Sequence, residues 1–150
     1  LFICGSGYMS AYSETNRAPW YDYRTSIKMV SFRGVTSVGA YAFADCPELQ
    51  LVMFDGYAPS FGTNSFSGTT CEIWYPSTAS GWSSSIRKDY GGSLTWRSTT
   101  NRGTCGTSAK WALDSNGTLV ILGSLPVAGM DRPSFSASTI ILRNFRISNI

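Results

Sequence analysis

The chain of 150 residues contains no histidine and few charged residues. Without histidine, neither a Ser-His-Asp nor a Cys-His catalytic arrangement is available, and no C-x-x-C pair exists to begin a zinc site. Charged residues make up 14% of the chain and the net charge is only +3. The basic residues are scattered, whereas binding of nucleic acid needs a dense basic surface. No apolar run approaches the ~20 residues of a membrane span. We therefore expect no enzyme, no cofactor or metal, no nucleic-acid partner and no membrane span.

What the chain does have is a repeating apolar pattern, which begins in the stretch from Ser26 to Leu49. Phe43 and Phe66 are 23 residues apart, and the same interval separates Val38 from Phe61. Self-similarity at a fixed period in the twenties is typical of a solenoid, in which stacked coils bury one continuous core. Apolar residues make up 43% of the chain, which is sufficient for such a core.

Each repeat begins with apolar residues at alternate positions, as expected for a short strand with one buried side. The sequence predicts parallel strands near residues 28–33, 50–55 and 72–75, joined by return arms with helical or 3₁₀ turns. One core is predicted to contain four aromatic side chains, those of Phe32, Phe43, Phe54 and Phe66.

The segment GVTSVGAYAFADCPEL, residues 34–49, resembles the repeat of the BspA-type bacterial surface leucine-rich repeats, whose motif is roughly GVTSIG-x-x-AF-x-x-C-x-x-L. Residues 64–76 and 90–96 are similar to the end of an array in that family, and residues 105–119 are similar to its start. The resemblance implies a β-rich leucine-rich-repeat solenoid in a secreted or cell-surface protein. It implies adhesion through a protein or matrix ligand outside the cell, and it does not indicate an oligomeric state.

The predicted organisation follows these patterns from end to end. Residues 1–25 are expected to form a partial hairpin strand and an N-terminal cap, and residues 26–96 the solenoid. The solenoid closes with a helix and a strand, because Trp82, Ile86 and Tyr90 have the spacing of one helical face. The polar stretch 97–104 is predicted to be a linker. Residues 105–150 are predicted to begin a second, incomplete copy, in which Ile140 and Leu142 correspond to Val30 and Phe32. The sequence does not determine whether residues 123–150 are ordered.

A hairpin is predicted in this second copy, with antiparallel strands at 110–114 and 118–122. Asn116-Gly117 favours a type I′ turn, and with Thr118 it also matches a glycosylation sequon. Residues 1–5 match 119–123, with Leu1 at the position of Leu119. We therefore expect residues 1–5 to be extended at a sheet edge, and the chain to be a piece of a longer tandem protein.

The candidate binding site is the side of the strands that points away from the core. We call it the outer strand face, and it comprises six residues: Met29, Ser31, Arg33, Met53, Asp55 and Trp74. Mixed Met, Arg and Trp suit a protein interface. The alternatives are a solvated face without ligand and, at the level of function, a purely architectural spacer between other modules.

Three local features each leave two interpretations open. Cys46 and Cys71, about one repeat apart, could form a disulfide or remain buried thiols. Trp20 could cap the end of the core or provide an aromatic platform for a sugar. Asp45 and Glu48 form the nearest acidic pair, which could serve glycoside hydrolysis or simply be solvated in a turn.

Overall fold

The computed structural model describes residues 1–105, 109–123 and 138–142. The chain divides into two compact units, Leu1–Arg97 and Ser98–Ile150. In the described part the secondary structure is nearly all strand, and its one helix is a short 3₁₀ turn at Tyr21–Tyr23. None of the helical structure described there is long and apolar enough to cross a membrane.

The first unit is a parallel β-solenoid of about three turns. Its main sheet contains β1 (Phe2–Gly7), β2 (Met29–Val35), β4 (Leu51–Phe54) and β6 (Thr70–Pro76), paired in that order and all parallel. A smaller parallel pair joins β3 (Ser37–Val38) to β5 (Ser60–Phe61). This confirms the predicted parallel pairing of three strands. It also confirms that residues 1–5 are extended at a sheet edge.

The return arms contain turns instead of the predicted helical or 3₁₀ segments. Several residues of the arms have positive φ, among them Asp45 at 54° and Asn64 at 55°, which interrupts any helix. Main-chain N–H groups of one coil donate instead to carbonyls of the next, as in Phe43 to Ser65 at 2.8 Å and Asp45 to Ser67 at 2.8 Å. The arms are therefore held by bonds between coils, as the strands are.

Aromatic side chains fill the core in stacked columns. Phe43 stacks between Trp20 and Phe66, with ring centroids 5.5 and 5.6 Å apart, and Phe32 stacks on Phe54 at 4.7 Å. The four predicted phenylalanines thus share one buried cluster. Offset stacking adds to the free energy gained by burying these large side chains.

The predicted closing helix at 77–90 is wrong, because this stretch forms a series of turns. Gly81 has φ of 93° and Tyr90 has φ of 46°, so helical backbone does not continue through the segment. The Trp82 side chain stacks on Tyr75, and its Nε1–H donates to the Gly56 carbonyl at 3.0 Å. The apolar spacing therefore serves to cover the far end of the core without a helix.

The second unit is an antiparallel sheet. It contains the later part of β7 (Ser93–Cys105), then β8 (Ala109–Asp114), β9 (Leu119–Gly123) and β10 (Ser138–Leu142), each antiparallel to the one before. Residues 97–104, predicted to be a linker, are strand, because β7 bonds to β8 through its main chain and needs no apolar alternation.

The turn between β8 and β9 differs from the predicted type I′ form, in which both central residues have positive φ. Only Gly117 has positive φ, at 79°. Asp114 and Thr118 close the turn through the Asp114 N–H and the Thr118 carbonyl at 3.0 Å. The three-residue connection with a final left-handed glycine is the next most common hairpin form. Residues 106–108, 124–137 and 143–150 of the predicted second copy lie outside the described residues.

Candidate functional site

The structure brings the middle of the outer strand face into one row across the coils. Ser31 pairs with Met53 and Met53 with Trp74 in the strand register. These three side chains are buried, however, with exposed fractions of 3%, 4% and 0%. Met29 and Asp55 are half-buried and only Arg33 is exposed. The expectation of an open binding ladder is therefore corrected at its three central positions, which a partner cannot reach.

A short polar network fixes the Trp74 side chain. Its indole Nε1–H donates to Glu72 Oε2 at 3.0 Å, and Arg97 Nη2 donates to Glu72 Oε1 at 3.0 Å. A carboxylate that accepts from two donors at once holds both side chains in one orientation. This arrangement is consistent with a structural role for Trp74 and Glu72.

Three cysteine thiols are described, and all three are free: Cys4 is exposed, whereas Cys46 and Cys71 are buried. Burial raises the pKa of the Cys46 thiol to about 11, with a further contribution from Asp45. Burial also raises the pKa of Cys71 to about 12, and Cys46 and Glu72 add to the effect. The two buried thiols are therefore protonated near neutral pH and serve as small apolar groups, because the thiolate is the reactive form.

The acidic pair of the return arm is exposed to solvent. Asp45 and Glu48 both lie on the surface of the first coil. Within residues 1–105, 109–123 and 138–142, no group of three His, Cys, Asp or Glu side chains is placed to hold a metal ion. This environment is that of ordinary solvated carboxylates.

Trp20 closes the first end of the aromatic column. Its ring stacks on Phe43 and packs edge-to-face with Tyr12, and its Nε1–H donates to the Ala42 carbonyl at 2.8 Å. These contacts are those of the predicted cap. The same side chain is half-buried and also lines a surface hollow, so its cap and platform interpretations are not mutually exclusive.

That hollow belongs to a surface that the sequence did not single out. We call it the corner groove. It is formed by residues 7–9, 34–36 and 56–58, which lie at the ends of β1 and β2 and shortly after the end of β4. One hollow of about 350 Å³ lies along residues 3–10. A second of about 200 Å³ lies between residues 34–36 and 56–58, and Val35 lines both hollows.

Two tyrosines project from the corner groove. Tyr8 lines the larger hollow and is 87% exposed, and Tyr57 lines the smaller one and is 75% exposed. Each directly follows a glycine, which is Gly7 at the end of β1 and Gly56 two residues after the end of β4. This repeated Gly-Tyr pair is the sequence signal that could have identified the groove. It was missed because the predicted repeat was defined by the spacing of apolar residues, to which the pair does not belong.

The groove rests on bonds between neighbouring coils. The Thr36 N–H donates to the Gly7 carbonyl at 3.0 Å, and the Met9 N–H donates to Ser37 Oγ at 2.8 Å. The main chain around Tyr8 is therefore attached to the first coil on both sides of the side chain. A partner would meet a largely preformed surface, which lowers the entropic cost of binding.

Compared with protein-family models, curated proteins and solved structures, the chain shows no match.

Proposed function

We propose that this chain is a non-enzymatic binding module of a secreted or cell-surface protein, and that it contacts a protein or matrix ligand in adhesion. The observation on which the proposal rests is the corner groove, where Tyr8 and Tyr57 expose most of their surface beside two hollows. Tyrosine presents a large apolar ring with a polar end, and it is enriched in protein interfaces.

We further propose that the coils are leucine-rich repeats of the BspA type, whose motif residues 34–49 resemble. The fit of the motif to the coil supports this. The apolar residues of the motif from its fifth position onward are all buried: Val38, Ala42, Phe43, Cys46 and Leu49. A motif whose spacing matched by chance would leave some of these side chains in solvent. Bacterial origin and an extracellular location belong to the same proposal.

Binding in the corner groove differs from binding on the outer strand face. In the groove the ligand contacts turns on successive coils, which are close in space although far apart in sequence. Arg33 is the exposed residue of the outer strand face and directly precedes Gly34, which lines the smaller hollow. It is therefore the one member of the earlier site that could extend the groove.

The test is binding of the purified full chain to immobilised fibronectin, laminin and collagen, measured by interferometry. Replacement Tyr8→Ala with Tyr57→Ala removes both exposed rings without touching the core. We expect at least a tenfold loss of affinity for whichever matrix protein binds, because interface tyrosines contribute on the order of 2 kcal/mol each.

The matched control is Tyr23→Ala, which removes another exposed tyrosine that does not line either hollow. It should leave binding unchanged. Equal binding by the double variant would contradict the groove as the site. Turnover of a glycan or peptide by the wild-type chain would contradict the non-enzymatic assignment.

An architectural spacer is the second candidate function, and one observation favours it. The central residues of the outer strand face are buried, and so the sheet side that solenoids often use for partners is closed at Ser31, Met53 and Trp74. Absence of binding to any of the three matrix proteins, by a folded chain, would favour the spacer.

A further inference from the structure

β1 is an edge strand whose outer side can be identified residue by residue. It pairs with β2, and among the described strands none lies on its other side. The Leu1 amino group donates to the Met29 carbonyl at 2.9 Å, and the Leu1 carbonyl accepts from the Ser31 N–H at 3.0 Å. Main-chain groups alternate in direction along a strand. The N–H and C=O groups of Phe2 and Cys4 therefore point away from β2.

β9 matches β1 in sequence but is paired on both sides. Residues 119–123, LVILG, correspond to residues 1–5, LFICG. The Asp114 N–H donates to the Thr118 carbonyl, and in this register Ala112 lies opposite Val120 and Lys110 opposite Leu122. By the same alternation, Val120 and Leu122 direct their main-chain groups to β8.

At matching positions, the main-chain groups of β1 and β9 therefore point to equivalent sides of the strand. The positions of β9 that bond to β8 are the second and fourth of the match, and they correspond to Phe2 and Cys4. The first and third positions bond to the strand on the other side, which is β10 for β9 and β2 for β1. A one-residue offset would have reversed this agreement, because alternate residues face opposite ways.

We propose that the edge of β1 that no described strand covers is a docking site for one further strand with the sequence pattern of Lys110–Asp114, added antiparallel. In this register the occupant places its equivalent of Ala112 opposite Phe2 and its equivalent of Lys110 opposite Cys4. The recognition is main-chain hydrogen bonding in the manner of strand addition. It is independent of the ligand-binding function proposed for the corner groove.

The occupant is a separate segment in a hairpin with β1, and not β8 of a folded second copy. β8 is paired along both edges, with β7 and with β9. Releasing it would break two sets of main-chain bonds in order to form one. A segment linked directly ahead of β1, as β8 is linked ahead of β9, has no such cost and benefits from a high effective concentration.

The experiment adds residues 110–118 of the chain directly before Leu1, so that Thr118 of the addition is followed by Leu1 as Thr118 is followed by Leu119. Hydrogen exchange is measured by NMR on the full extended chain. The amides of Phe2 and Cys4 should exchange at least tenfold more slowly than in the unextended chain, because they gain carbonyl partners. Unchanged exchange at both amides, in a protein whose β4 amides remain protected, would overturn the proposal.

A disulfide provides a second measurement. With Lys110→Cys in the added segment, oxidised glutathione should give a bond to Cys4, since directly opposed residues with mutual hydrogen bonds have Cα atoms about 5.5 Å apart. The control places Leu113→Cys in the added segment, opposite Leu1, and should not trap Cys4.

A second control places Trp111→Cys in the added segment, opposite Ile3 in the proposed register. Because successive side chains of a strand point to opposite faces of the sheet, this thiol should not form a bond to Cys4. Equal trapping by Trp111→Cys would show that the added chain only collides with the exposed thiol. That outcome would overturn the proposed register and, with it, the docking site.

Discussion

The two units contain similar strand pairs that run in different relative directions. Leu1, directly before β1, and Ile3 in β1 match Leu119 and Ile121 of β9 in sequence. The next strand of each unit is also similar in sequence. Apolar residues stand at alternate positions in both, Val30 and Phe32 in β2 and Ile140 and Leu142 in β10. Yet β1 and β2 are parallel, whereas β9 and β10 are antiparallel. An alternating pattern thus determines which main-chain groups face a neighbour, and it does not determine the direction of that neighbour.

The segment that connects the two strands differs in sequence between the two units. Residues 8–28 join β1 to β2 and contain Trp20, whose ring and Nε1–H attach this connection to the first coil. The Tyr12 N–H donates to the Ala40 carbonyl at 2.9 Å and adds a second attachment. Residues 124–137 contain no tryptophan. We infer that the attached connection, which returns the chain to the start of the sheet, makes the parallel pair possible.

The largest expected effect is a loss of stability when the aromatic core of the first unit is truncated. Phe43→Ala removes the middle ring of the stacked column, whose side chain is fully buried. We expect the free energy of unfolding of the first unit to fall by about 3–5 kcal/mol, as for other buried phenylalanines. Urea unfolding, with hydrogen exchange of β4 and β8 amides, measures each unit separately. Equal loss of protection in β8 would contradict the confinement of the column to the first unit.

Alkaline pH should weaken the first unit in particular, because it contains the buried Cys46 and Cys71 thiols. Their pKa values are raised from 9.0 to about 11 and about 12. Between these values and 9 the folded protein retains protons that the unfolded chain releases. The contribution of the two thiols to the free energy of unfolding is therefore fully present below pH 9. It is lost as the pH rises towards 11, by at most about 1.4 kcal/mol per pH unit for each thiol.

The measurement is urea unfolding at pH 8 and pH 10, compared with the variant Cys46→Ala with Cys71→Ala. Burial also raises the pKa of Tyr12 and Tyr90, but these groups are present in both proteins. The variant should therefore show a smaller decrease between the two pH values. An equal decrease would show that the two thiols ionise as readily in the fold as in the unfolded chain.

The smallest of the three effects belongs to the second unit. Asp114 is buried, and its Oδ1 accepts from the Asn116 N–H at 2.9 Å and the Thr118 N–H at 2.8 Å. Asp114→Ala leaves both donors of the turn without this acceptor, and we expect a loss of about 1–2 kcal/mol. Exchange of β8 and β9 amides should accelerate while that of β2 and β4 amides does not. Acceleration throughout the chain would contradict independent stability of the two units.

The strands and core of the solenoid could be predicted from the sequence because their signal is local and repeated. Phe32 and Phe54 occupy the same position of successive repeats, and they stack in the structure. The closing helix at 77–90 was wrong for a related reason. The spacing of Trp82, Ile86 and Tyr90 records only that one side is apolar, and a series of turns satisfies it as well as a helix.

The candidate site was less predictable than the fold. Alternation identifies the side of the sheet on which Met53 and Trp74 lie, but it contains no information on whether other residues cover that side. Tyr8 and Tyr57 were missed because a residue in a turn has no periodic partner in the sequence. Their common location emerges only when the coils are stacked, and stacking depends on the three-dimensional register.

The hydrogen bonds between return arms have a consequence for how such a chain can change its length. The arm of the first coil donates N–H groups towards the second, and the second offers N–H groups in the same way, as from Phe66 to the Tyr90 carbonyl. Each coil thus presents main-chain N–H donors to which the carbonyls of the next coil bind. A duplication of one whole repeat would insert new contacts equivalent to the old ones, whereas an insertion of a few residues would place side chains at backbone positions with unsuitable φ. Growth by unequal recombination in units of 23 residues is therefore the change that this architecture best tolerates.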